Sequence, residues 1–370
     1  MEDEMNKFRF IIVLFLLVII LGTSSSNTVA QQSAPVILIF NGDLSVMREK
    51  PTALLVQNLT LLESNRQVLI KAAAQSVILY EGPMDQLIET FGIDNAASIR
   101  TETTTAWVSA FYIRNGKPFV SQLLVPNNNL GQDRAQAYAD FVNLILASAD
   151  KYASPLKVAR EYTSYANSVF LPVVSVARNT AYWDPMPILI NSIIDCPWGK
   201  YNDVVIGQQV AGENNPNRDY WGTEIMQQIL PGNDACNEGG SWYNEKVWNM
   251  VNLMNWNSTM YRYGPFSTFG EQTAEVSIGF NEGGFSLGWS WTFPVVDVNV
   301  YDHSDFGFPR MSHELELGGN AALYTYTSEP GLSVTLDQDV RPLFYRPINL
   351  YWHHWLYQTH YLWDNWFIEY

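Results

Sequence analysis

The chain has little of what most metabolic chemistry needs. Among 370 residues there are two cysteines, Cys196 and Cys236. Neither belongs to a C-x-x-C, which excludes a dithiol redox centre or a zinc ribbon. No G-x-G-x-x-G and no phosphate-binding loop occur, so the glycine-rich nucleotide cradles are missing. The nearest approach to a nucleophile elbow, Gly288-Trp289-Ser290-Trp291, lacks the closing glycine and lies inside an alternating run. Histidine is confined to His303, His313, His353, His354 and His360. His313-Glu314 has no second histidine at the spacing a zinc protease helix requires. Lysine is absent after Lys246, and the net charge is −16. That balance excludes nucleic acid as a partner, because phosphate contacts need Lys and Arg.

Long apolar runs are also scarce. One exists, Phe10 to Leu21, preceded by Lys7 and Arg9 and followed by small and polar residues up to Thr28-Val29-Ala30. A basic start, an apolar stretch and a small-x-small site make a secretory signal peptide, expected to occupy residues 1–30. Twelve residues span only about 18 Å as a helix against roughly 30 Å of hydrocarbon, which favours cleavage over the alternative, a membrane anchor through 10–21. No later segment is long and apolar enough to cross a bilayer as a helix. The chain is expected to be secreted or held at the outer cell surface. There a pair of cysteines is expected to be bridged, closing a loop of about 40 residues and contributing roughly 4 kcal/mol in the loop-closure estimate. Asn58-Leu59-Thr60 and Asn257-Ser258-Thr259 are acceptor sequences for glycosylation at Asn58 and Asn257.

What is present is pattern. Residues 31–200 read as a mixed α/β domain. PVILIF is a first strand, PMDQLIETFG a helix with Pro83 at its start and Gly92 at its stop, and 131–153 the clearest helix. Asn115-Gly116 between WVSAFYI and PFVSQLLV signals a hairpin. Residues 201–271 read as a loop-rich connection with one helix at SWYNEKVWNMVNLMNW. From 272 to 350, six short segments alternate apolar and polar residues at period two, the signature of a half-buried antiparallel sheet. Residues 272–370 therefore read as an antiparallel β domain with an aromatic tail. The fold class is α+β, a mixed α/β region followed by a sandwich-like β region.

Candidate sites lie in the acidic, aromatic C-terminal part. Asp297, Asn299, Asp302 and Asp305 crowd around His303, and oxygen donors at that density suit Ca²⁺. The wet face of an edge strand explains the same letters, and a calcium-binding helix–loop–helix is excluded by the missing glycine and twelfth-position glutamate. Glu314 and Glu316 share a strand face about 6.6–7 Å apart, within reach of either spacing class of glycoside hydrolysis. The last twenty residues carry nine aromatics. Read as a helix, they place Trp352, Trp355, Trp363 and Trp366 on one stripe and His353, His360 and Asp364 on another. Such a helix offers a metal site only if it bends or a loop adds a ligand. A strand reading stays open because Trp and Tyr favour sheets. Nine aromatics must pack on their own domain, bind a partner through self-association or at a cell surface, or line a glycan groove. Two functions stay open: a structural or binding protein for a protein or glycan partner, and a secreted carboxylate-dependent hydrolase acting on polysaccharide. No nucleophile or metal constellation appears, which favours the first.

Overall fold

The computed structural model describes residues 34–44, 50–93, 104–127, 133–152, 188–209, 215–236, 240–265, 273–282, 285–294, 297–356 and 358–369. The expected leader at 1–30 lies outside the described residues, as does the apolar run SVFLPVVSVA at 168–177. The rest is a β-rich α+β fold, as the patterning required.

Three short strands open a large sheet: β1 (Ile37–Ile39), β2 (Ala53–Val56) and β3 (Val77–Tyr80), all parallel. The last two are unbroken apolar runs because both their faces are buried, the usual composition of a doubly covered sheet. Leu54, Val56, Ile78 and Tyr80 serve one core, while Ala53, Leu55, Val77 and Leu79 serve another. The β2–β3 crossover holds α1 (Leu59–Ser64) and α2 (Arg66–Ala73). Asn58 caps α1 by accepting a hydrogen bond from the Leu61 N–H at 2.8 Å. After β3 comes α3 (Met84–Phe91), entered at Pro83 and closed by Gly92 in the left-handed region at φ 63°.

β4 (Thr104–Arg114) and β5 (Lys117–Pro126) form the expected hairpin, with Asn115 and Gly116 at φ 52° and 77°. Positive φ at both residues matches the turn to the twist of the strands. Next, α4 (Arg134–Tyr152) packs Tyr138, Phe141, Val142, Ile145 and Ala149 on the second core. The buried stripe also takes in Ala137, whereas Ala135 is exposed.

The sheet continues through β6 (Ile188–Asp195), β7 (Gly199–Gln209) and β8 (Arg218–Pro231), then β16 (Gly331–Asp337) and β10 (Thr259–Gly264), with β15 (Tyr326–Ser328) also on β8. Residue 200, where the composition changes, lies inside β7, and the sheet runs on through it. A second sheet has five strands in the order β13 (Val298–Asp302), β14 (Arg310–Leu317), β9 (Trp242–Leu253), β17 (Leu343–His354), β18 (Gln358–Glu369). A two-stranded ribbon, β11 (Thr273–Glu282) with β12 (Phe285–Pro294), is hydrogen-bonded to neither among the described residues. The six alternating segments thus belong to three sheets rather than one. Within AALYTYTS the first residues enter a short helix, α5 (Gly319–Leu323), before β15.

One helix reading is corrected, and the choice left open for the tail is decided. SWYNEKVWNMVNLMNW is β9, with Val247, Asn249, Val251 and Leu253 buried and Lys246, Trp248, Met250 and Asn252 half-buried. Its apolar residues satisfy a helical stripe and a strand alternation equally, and pairing with β14 and β17 on either side decides for the strand. The aromatic tail is likewise strand, the β17–β18 hairpin. The inner face of the five-stranded sheet and one face of the large sheet share a single core, in which Tyr201, Trp221 and Ile225 join Val251, Phe344, Leu350 and Trp352.

Candidate functional site

Polar groups lie within that shared core. Tyr201, Asp203 and Asn191 occupy the strand positions of β6 and β7 that point at the five-stranded sheet, and Arg346 of β17 points back at them. The Arg346 guanidinium pairs with Asp203 and donates to the Tyr201 hydroxyl at 2.8 Å, with both charged side chains fully buried. Asn191 donates to the other Asp203 oxygen at 2.7 Å, Tyr201 donates to Gln227 at 3.3 Å, and Gln227 donates to Ser328 at 2.6 Å. One hydrogen-bonded chain therefore ties four strands of the large sheet to β17. Burial, the largest single influence, would lower the proton affinity of Arg346, but Asp203 and Tyr201 together outweigh it and hold the guanidinium above its ordinary range. The same burial raises the Tyr201 phenol.

A second cross-link lies at the disulfide. Cys196 and Cys236 are bridged, with Cα atoms 5.7 Å apart. Beside the bridge, His360 Nε2 is 2.7 Å from the buried Asp195 carboxylate, and the Trp198 ring stacks on the imidazole at 3.7 Å. These groups brace the two sheets.

The outer face of the five-stranded sheet is different. Strand registers align residues across all five strands in rungs. One rung is Asn299–Glu316–Lys246–Tyr351–Tyr361, and the next is Tyr301–Glu314–Trp248–Asn349–Trp363. The β13 side is acidic and the β17–β18 side aromatic. Lys246 joins them, 2.7 Å from Glu314, 3.9 Å from Glu316 and 5.7 Å above the Tyr351 ring. The hydrogen bond with Glu314 holds this ammonium above its ordinary range. Tyr351 and Tyr361 pair at 4.9 Å, and Tyr345 and Phe367 pair at 5.0 Å further along. Tyr361 donates to Asn349 at 3.2 Å, Tyr301 to Glu316 at 3.0 Å, and the Trp248 indole to Ser312 at 2.9 Å. The rings are thus held in place by hydrogen bonds while Tyr301 and Tyr361 stay exposed.

The residues singled out for a cation are not brought together. Asp297 immediately precedes β13 and Asp302 is its last residue, so the strand's length separates them. Asp297 accepts from Asn320 N–H, Asp302 from Tyr263 and Ser304, and Asp305 from Gly307 N–H; Asn299 is on the outer face. Among the described residues no group of three or more His, Cys, Asp or Glu is placed to hold a metal ion. In the tail, β18 sends His360 and Asp364 inward, where Asp364 accepts from Thr104 at 2.9 Å. Asn58 and Asn257 are both exposed, and Asn257 adopts φ 60°. The rungs were not foreseen as a surface, since they depend on register between strands such as β9 and β17, whose paired residues in these rungs lie more than a hundred positions apart.

No family model matches the sequence. No curated protein is similar to it in sequence. Among solved structures, a "Pore forming protein" aligns at 10% identity and a TM-score of 0.28, covering 48% of this chain and 84% of its own. Clostridium perfringens delta-toxin aligns at 9% identity and a TM-score of 0.30, covering 50% of this chain and 86% of its own. Superpositions this loose fall short of a shared overall fold and bear no functional weight. Among the described residues no helix is long and apolar enough to cross a membrane, which says nothing of strands.

Proposed function

We propose that this chain is an exported binding protein, secreted or displayed at the outer cell surface, whose outer five-stranded face takes a glycan. One observation carries the reading: two adjacent rungs set exposed aromatic rings beside fixed carboxylate, amide and ammonium groups. A sugar ring presents C–H bonds on its faces and hydroxyls around its rim. The C–H faces pack on electron-rich aromatic faces, and the hydroxyls exchange hydrogen bonds with Glu314, Glu316, Asn349 and Lys246. The disulfide suits the oxidising compartment that export implies. A glycan on Asn58 would use its amide nitrogen and leave the capping oxygen in place.

A glycan array probed with the purified chain tests this. The expected result is selective binding that Tyr351→Ala and Trp363→Ala each weaken at least about tenfold without loss of the folded state. Equal binding by those variants, or binding to no glycan, removes the reading in favour of a protein partner. Release of reducing ends from a bound polysaccharide would assign Glu314 and Glu316 to hydrolysis instead.

A further inference from the structure

The two-stranded ribbon has the dimensions and patterning of a lipid-facing element. β11 and β12 are ten residues each and pair without a register break from Thr273↔Pro294 to Glu282↔Phe285. Residues opposite one another in such a ladder share a face. One face therefore carries Val276, Ile278 and Phe280 opposite Trp291, Trp289 and Leu287. The other carries Glu275, Ser277 and Gly279 opposite Thr292, Ser290 and Gly288. The first has no charge until Glu282, the last residue of β11, and the second is small and polar along its length. No Lys or Arg occurs in either strand.

Ten residues at about 3.3–3.4 Å each, tilted about 40°, span roughly 25 Å, the height of the apolar band of a membrane β-barrel. Strict alternation of apolar and polar residues over 9–11 positions is what a strand between lipid and a watery lumen requires. A soluble half-buried hairpin needs one apolar face too, but it does not need that length on both strands. Nor does it need a charge-free face bounded by an acidic tip. A single hairpin cannot span alone, since its two edges would leave N–H and C=O groups unpaired in hydrocarbon. Closure must come from hairpins of further copies.

We propose that β11 and β12 form a membrane-spanning hairpin, and that several copies of this chain close their hairpins into one transmembrane β-barrel. Val276, Ile278, Phe280, Leu287, Trp289 and Trp291 face lipid, the Ser/Gly/Thr face lines the lumen, and the ends of the strands at Glu282 and Phe285 lie toward the far side. The proposal stands on the ribbon alone and is independent of the glycan reading.

Single thiols introduced along the ribbon test it, since the native cysteines are bridged. Full-length Ser277→Cys, Ile278→Cys, Gly279→Cys and Phe280→Cys, each carrying an environment-sensitive dye, are mixed with phosphatidylcholine–cholesterol vesicles and with red-cell ghosts. The expected result alternates. Labels at 278 and 280 shift to the blue and are quenched by nitroxide lipids, while those at 277 and 279 stay open to iodide. Cross-linking should capture oligomers on the same membranes. Release of trapped dye should fall at least about tenfold in Ile278→Asp and change little in Ser277→Asp, because a charge is penalised only on the lipid face. Neighbouring labels that respond alike overturn the proposal, as does silence of every label on both membranes. Ghost binding without alternation overturns it while leaving the glycan reading intact.

Discussion

The two halves of the molecule use strands in opposite ways. In β2, β3 and β6 every residue is buried, and β2 and β3 run apolar without interruption. In β9 and β17 every second residue is buried, and the alternate set faces outward. A strand covered on both sides has no position left for recognition, so the first half serves as support. A strand covered on one side keeps half its positions for chemistry, and aromatic, acidic and amide groups collect there. Where the halves meet, the core admits charge: Arg346 of the singly covered sheet ends on Asp203 of the large one.

That junction predicts the largest effect. Arg346→Leu leaves the Asp203 carboxylate buried beside Asn191 without its counter-charge and should cost about 3–5 kcal/mol of stability. Arg346→Leu with Asp203→Leu should recover much of it, because no charge is then stranded. Denaturant melts of the two variants check this, and equal losses would show that the pair does not act as a unit.

The singly covered sheet should also answer to acid. His313 lies on its inner face, fully buried, with its Nε2 3.8 Å from Asp302 Oδ1 and the Tyr263 ring 5.9 Å away. Burial lowers its pKa to about 4, against a partial rise from Asp302. The unfolded chain, near 6.5, therefore binds more protons than the folded one between these values. Stability is complete above pH 6.5 and falls as pH drops toward 4, by up to roughly 3 kcal/mol from this group. His313→Gln should flatten that part of the pH–stability curve relative to the unchanged protein; parallel curves would contradict the assignment.

A smaller effect is expected at Gly199, where the large sheet meets Trp352 of the other. A Cβ on Gly199 would press on the Trp352 indole and come within 2.6 Å of the Leu230 carbonyl oxygen. Gly199→Ala should cost about 1–3 kcal/mol, seen as a lower Tm, with the outer-face ligand still bound.

Much of this was legible residue by residue where the signal is local. The Asn115-Gly116 turn and the Pro83 and Gly92 helix limits each depend on a few neighbours, and the cysteine bridge follows from there being only two cysteines to pair. β9 was not, because Val247, Met250, Val251 and Met254 fit a helical stripe, and only neighbouring strands select the other period. The Asp297–Asp305 cluster looked like one site because its residues are close in sequence. An extended strand separates its ends, and the carboxylates accept from backbone and tyrosine instead. The Arg346–Asp203 pair and the outer rungs join residues more than a hundred positions apart, and no spacing rule reaches that far.

The outer face of the five-stranded sheet as the binding surface is tested most directly by titrating one glycan identified on the array into matched variants. Tyr361→Ala and Trp363→Ala are expected to weaken binding at least about tenfold, the loss of roughly one aromatic contact each, with Tm close to that of the unchanged protein. Gly199→Ala is expected to lower Tm and leave affinity unchanged. Affinity that follows Tm across the three variants, or that survives both aromatic substitutions, would contradict the account.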